Sequence, residues 1–119
     1  NTFKVVTFAA EPASAGTEYV LYTTAGSTTT IILGLLLCNI HTSQVTATVR
    51  LISDTTKTGA TGNANNTTSV LVKDIPIPAG SSVEIMAGNK IVLETTDQID
   101  IDCSVADKLS GTMSIMEIT

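Results

Sequence analysis

The sequence predicts an all-β fold, a two-sheet antiparallel sandwich of eight or nine strands, and three observations carry that prediction. Threonine occurs 21 times in 119 residues, beside abundant Val, Ile and Leu. β-Branched side chains suit a pleated, half-buried surface better than a helix. Apolar residues recur with period two in nine short segments, and no long stretch keeps the helical spacing. Gly, Pro and Asn punctuate those segments at short intervals, which leaves no room for crossover helices and implies packed antiparallel sheets. A jelly-roll-like order suits the strand number; the alternative, an immunoglobulin-like sandwich, lacks its Cys, Trp, Cys arrangement because the chain has no tryptophan.

The first strand spans Thr2–Ala9, with Phe3, Val5 and Thr7 on one face and Lys4, Val6 and Phe8 on the other. A short linker, Glu11-Pro12 to Gly16, follows it. The second strand, Thr17–Thr23, sets Tyr19 and Leu21 against Val20 and Tyr22, and Gly26 marks its turn. Thr28–Ile40 is apolar on both faces at its centre, which places it mid-sheet with Gly34 as a bulge or close-packing point. Val45–Asp54 alternates cleanly: Val45, Ala47, Val49 and Leu51 face in, Thr46, Thr48 and Arg50 face out. Residues 55–67 hold no large apolar side chain and read as one flexible loop. The fifth strand, Ser69–Ile77, ends between Pro76 and Pro78 and belongs at an edge, where a missing backbone donor does no harm. Val83 and Ile85 form a short sixth strand, and Gly88-Asn89 turns the chain into a seventh, Ile91–Thr95. In the eighth, Ile99, Ile101 and Cys103 alternate with Gln98, Asp100 and Asp102, so the aspartates should lie outside the core. Leu109–Ile118 is the ninth. At this length one domain, residues 1–119, can bury an adequate core without metal or disulfide.

Composition excludes more than it selects. Eleven acidic against six basic side chains give a net charge of −5, and the six cations are dispersed. Such a surface would release no counterions from a nucleic acid, so no nucleic-acid partner is expected. The longest apolar run, Ile31–Ile40, is ten residues, far short of the roughly 20 that a bilayer requires, so no membrane partner is expected either. The segment from Lys4 to Ala15 superficially resembles a signal peptide, but its apolar core is short and Glu11-Pro12 interrupts it.

The carboxylates Glu94, Asp97, Asp100 and Asp102 could in principle hold a hard cation, but calcium wants six or more oxygens from a wrapping loop. An edge-protecting or solvated acidic face is the favoured reading, with no cofactor and no metal. Asp100 and Asp102, which share a strand face, would need an aromatic cleft to act as paired glycosidase carboxylates, and the chain has two Tyr and two Phe in all. Cys38 and His41, three apart, fall on opposite faces of a strand and make a poor nucleophile and base. Cys38 and Cys103 could bridge distant strands, although two reduced, buried thiols are favoured. The sequons at Asn65 and Asn66 arise by chance in a loop so rich in Thr and Asn. No catalytic constellation remains, and the chain is expected not to be an enzyme.

Two blocks carry a resemblance. Val20–Leu51 (VLYTTAGSTTTIILGLLLCNIHTSQVTATVRL) and Ile75–Ile118 (IPIPAGSSVEIMAGNKIVLETTDQIDIDCSVADKLSGTMSIMEI) are similar to small β-sandwich structural proteins of tailed-bacteriophage virions, cyanophage-like in type. The second block shows Ile-Pro-Ala-Gly entering a strand, a Lys-Ile-Val-Leu strand, an Asp at a turn, and a last strand ending Ser-x-x-Glu-Ile; Thr96 stands before Asp97 where that pattern has glycine. The resemblance implies a capsid decoration, or cement, protein in the virion, assembled in the bacterial host cytoplasm, where Cys38 and Cys103 would stay reduced. Its partners would be the major capsid protein or other virion proteins, and further copies of itself in a homo-oligomer. A neck, tail or baseplate component is the alternative, and a secreted carbohydrate-binding module a remote one. The first strand, with Phe3, Val5, Val6 and Phe8, is the candidate assembly interface, because an apolar strand on a tether can pair with a neighbour's sheet edge.

Overall fold

The computed structural model describes residues 1–54, 61 and 67–119, and the loop expected over 55–67, with its sequons, falls almost wholly outside them. Nine strands follow in order: β1 (Thr2–Glu11), β2 (Tyr19–Thr23), β3 (Thr29–Asn39), β4 (Val45–Ile52), β5 (Thr68–Ile77), β6 (Ser82–Glu84), β7 (Ile91–Leu93), β8 (Gln98–Cys103) and β9 (Leu109–Ile118). Among the described residues there is no helix.

Two antiparallel sheets result. The first runs β1-β9-β3-β6, with β7 also on β3; the second runs β2-β8-β4-β5. If β6 and β7 count as two halves of one strand, the pairing is nested. First pairs with last (β1 with β9), second with next to last (β2 with β8), third with β6 and β7, and β4 with β5. A long hairpin ribbon rolled over on itself gives this order, which is the jelly roll.

The period-two pattern explains how the layers close. Ile32, Leu35 and Leu37 of β3, Met113 and Ile115 of β9, Val45, Ala47 and Val49 of β4, and Ile99, Ile101 and Cys103 of β8 are all buried between the sheets. The doubly apolar β3 sits mid-sheet, and its register slips between Ile32 and Gly34, the bulge that the glycine foreshadows. Phe8 closes one side of the core against Tyr19, ring centroids 5.4 Å apart. Opposite Phe8, β9 has room only for Gly111, where a Cβ would stand 2.3 Å from the Phe8 ring.

Polar devices close the ends. Asn39 is fully buried; its amide Nδ2 donates to the carbonyls of Ser43 and Ile77, both at 2.9 Å, and its Oδ1 accepts from the His41 backbone N–H. Thr96 adopts a left-handed φ of 69°, the conformation for which glycine is the ordinary choice. Its backbone N–H donates to the Thr24 carbonyl and the following Asp97 carbonyl accepts from Thr24, so neighbouring chain holds the turn. The segment after β1 does not hang free: Asp107 N–H donates to the Pro12 carbonyl and Gly16 N–H to the Cys103 carbonyl, both at 2.8 Å.

Candidate functional site

The outward positions of the two sheets differ in kind. On the first sheet, backbone register lines up Phe3, Met116, Ile31 and Val92 in one row across β1, β9, β3 and β7. Phe3 is 72% exposed and Val92 56%, with Met116 and Ile31 half-buried between them. Val5, 64% exposed, stands beside the row, and Leu36 is exposed further along β3. Threonine and serine fill most of the remaining outward positions, including Thr7, Thr29, Thr112 and Ser114. Among the described residues of these strands the one outward charge is Glu84. Its Oε1 is taken by two backbone donors, Leu35 N–H and Met86 N–H, each at 3.0 Å.

Of the four residues singled out on the first strand, the structure divides the set by face. Phe3 and Val5 lie outward and exposed, Val6 is half-buried on the inner side, and Phe8 belongs to the core. Lys4 shares the inner side and pairs with Glu117 of β9 at 2.7 Å. Glu117 also accepts a hydrogen bond from the Tyr22 hydroxyl at 2.5 Å, and Tyr22 lies 2.9 Å from the Thr30 hydroxyl. Lys4 and then Tyr22 stabilise the charged form of Glu117 and pull its pKa down, whereas burial and then Glu117 push the Tyr22 phenol up.

The second sheet carries a row of opposite character: Val20, Asp100, Arg50 and Val70, across β2, β8, β4 and β5. Arg50 donates to Asp102 at 2.8 Å and lies 3.6 Å from Glu18. Here the sequence reading needs correction. Asp100 points away from the core, as its alternation requires, yet it is only 2% exposed. Flanked on neighbouring strands by Val20 and Arg50, it lies beside the Glu18 carboxyl, to which its protonated form donates, and receives a 3.3 Å hydrogen bond from Gln98. Burial first, then the Glu18 carboxyl, raise its pKa to about 6 against the opposing pull of Arg50 and Gln98.

The four-carboxylate cluster is likewise split. Asp97 is buried in the turn before β8, where it accepts from the Glu94 backbone N–H and the Ser53 hydroxyl, both at 3.0 Å. Glu94 is exposed beside it, while Asp100 and Asp102 lie on the sheet. Among the described residues no group of three or more His, Cys, Asp and Glu is placed to hold a metal ion. Both cysteines are free thiols. Cys103 is in the core, but Cys38 is only half-buried, on the outer side of β3, so the expectation of two buried thiols holds for one.

No family model and no curated protein matches the chain. Among solved structures, a chain of the T13 viral particle of infectious bursal disease virus superposes with a TM-score of 0.54 at 13% identity, over 96% of this chain and 30% of that one. A chain from the Gx strain of infectious bursal disease virus gives 0.51 at 15% identity, over 96% of this chain and 32% of that one. This chain is similar in fold to those viral chains. It spans about a third of the length of each.

Proposed function

We propose that the protein is a structural subunit of a virion that works by association rather than catalysis, and that it acts as a decoration protein stabilising a capsid shell. The observation that carries this reading is the charge-poor outer face of the first sheet, where Glu84 is the one outward charge among the described residues. Desolvating threonine, serine and aliphatic side chains is far less unfavourable than desolvating charges, and the centres of protein interfaces are depleted in charge and enriched in aromatic residues and Met, as in the row that holds Phe3 and Met116. The jelly-roll order and the likeness to chains of an icosahedral viral particle support the virion part. The resemblance of Val20–Leu51 and Ile75–Ile118 to tailed-phage virion proteins supports the bacteriophage part.

The test is composition of purified particles. Virions banded on a density gradient should contain this chain by mass spectrometry, at hundreds of copies against the major capsid subunit, with matching density on the outside of the shell. A dozen copies or fewer would move it to the neck or tail, and absence from the particle would overturn the virion reading.

A further inference from the structure

We infer that β1 is a homotypic assembly edge: two copies of the chain join antiparallel along β1, about a two-fold axis at Val5, and fuse their first sheets into one continuous sheet. The inference rests on the reading of the chain as an associating subunit and names the partner, a second copy.

The edges of the sandwich are not equally protected. β6 and β7 are three residues each. β2 is five residues, with a register shift between Val20 and Tyr22. β5 is broken twice in register against β4, carries Pro76, and has Asp74 at a left-handed φ of 48°. Short strands, bulges and proline are the devices by which sheets blunt their free edges. β1 has none of them over Thr2–Phe8, where it pairs with β9 without a break and leaves its other side open. A lysine at an edge ordinarily repels a second strand; here the ammonium of Lys4 is held by Glu117 of the same chain. Among the described strands, every other edge is therefore guarded and this one is not.

Self-complementarity points to a second copy as the occupant. With Val5 opposite Val5 of the second copy, Phe3 faces its Thr7 and Thr7 faces its Phe3. All three residues are exposed in the single chain and share the outward side of β1. Aromatic with β-branched and β-branched with β-branched are favourable cross-strand pairs. Lys4 then meets Val6 of the second copy, so no like charges are opposed. Such pairing is isologous and closes as a dimer, and it joins the apolar outer rows of both copies on one side of the extended sheet.

The test uses the whole chain in a Cys38→Ser background, with Cys103 left in the core. Val5→Cys should give a reducible covalent dimer under mild oxidation, since directly opposed Cβ atoms lie about 4.5 to 5.5 Å apart. Thr112→Cys, exposed on the same face but in mid-sheet, should not. Phe3→Cys and Thr7→Cys should cross-link when mixed and much less when separate. By sedimentation equilibrium, Val5→Lys should weaken the dimer about tenfold or more while leaving the melting temperature of the subunit unchanged. A wild-type chain that stays monomeric at high micromolar concentration overturns the inference, as does a dimer in which Val5→Cys links no faster than Thr112→Cys. A monomer that is nonetheless abundant in virions would refute homotypic pairing and leave the virion reading standing. A β1-linked dimer absent from virions would do the reverse.

Discussion

Two rows of four side chains cross the outer faces of this sandwich at right angles to its strands. Phe3, Met116, Ile31 and Val92 cross the first sheet with no charge among them; Val20, Asp100, Arg50 and Val70 cross the second with an acid and a base in the middle. Both rows begin and end on exposed apolar residues, and both back onto the same core. The second face completes its own interactions: Arg50 serves Asp102 and Glu18, and Asp100 is packed under its neighbours. Among the described residues, the exposed apolar groups at the two ends of the first row, Phe3 and Val92, have no covering layer. Proteins commonly meet their partners through apolar patches of that kind, and this difference is why the proposed association is placed on the first face.

Four measurements would break or sharpen that contrast. The largest effect belongs to the shared core: Ile101→Ala should destabilise the chain by about 2 to 5 kcal/mol in chemical denaturation, because the cavity cannot fully collapse. A cost near that of a surface change would mean that the two faces do not share one rigid core. Next, Gly111→Ala should destabilise by about 1 to 3 kcal/mol, since the new methyl would overlap the Phe8 ring. Its effect tests whether β1 is locked to β9 from the inner side while its outer side stays free.

The third is a pH dependence confined to the second face. Asp100 titrates near 6 in the folded chain, above its ordinary 3.8, so the folded state binds its proton more tightly than the unfolded one. That contribution is fully present below about pH 4 and is lost as pH rises through about 6, on the order of 1 to 2 kcal/mol once sharing with Glu18 is allowed for. Unfolding curves should show this decline, and Asp100→Asn should flatten it and raise stability at pH 7.5. An unchanged profile in the variant would place the titration elsewhere. The smallest effect is expected at Phe3→Ser, within about 0.5 kcal/mol of wild type for folding, because Phe3 is mostly exposed. A large loss there would show that the apolar row stabilises the single chain rather than awaiting a partner.

Much of this was legible along the chain. Period-two alternation located all nine strands to within a few residues, and the doubly apolar Ile31–Leu37 stretch pointed to a central strand; β3 is central in its sheet, although its outer side carries the exposed Leu36 and no covering layer. The division of β1 into a Phe3, Val5, Thr7 face and a Lys4, Val6, Phe8 face followed from the same arithmetic. Alternation assigns a side of the sheet, however, and not a degree of burial. Asp100 was correctly turned outward and wrongly left in water, since its cover comes from Val20 and Glu18 on one side and Arg50 on the other, from strands that sequence spacing cannot make neighbours. The left-handed backbone at Thr96 was hidden for a similar reason: its support comes from Thr24, and a local rule expects glycine.

The sequence by itself determined the fold class, the inward set of each strand and the scarcity of charge, because these depend on residue type and on a period fixed by the geometry of the extended chain. The prolines already marked β5 as an edge; only the tertiary structure decided that β1 and β2 are edges too and which outward residues became neighbours. The nested pairing of β1 with β9 and β2 with β8 joins segments from opposite ends of the chain, and pairing at that range is set by how the whole hairpin ribbon rolls and buries its apolar side. From that roll alone come the unguarded edge of β1, the uncharged row it begins, and the buried aspartate on the opposite face.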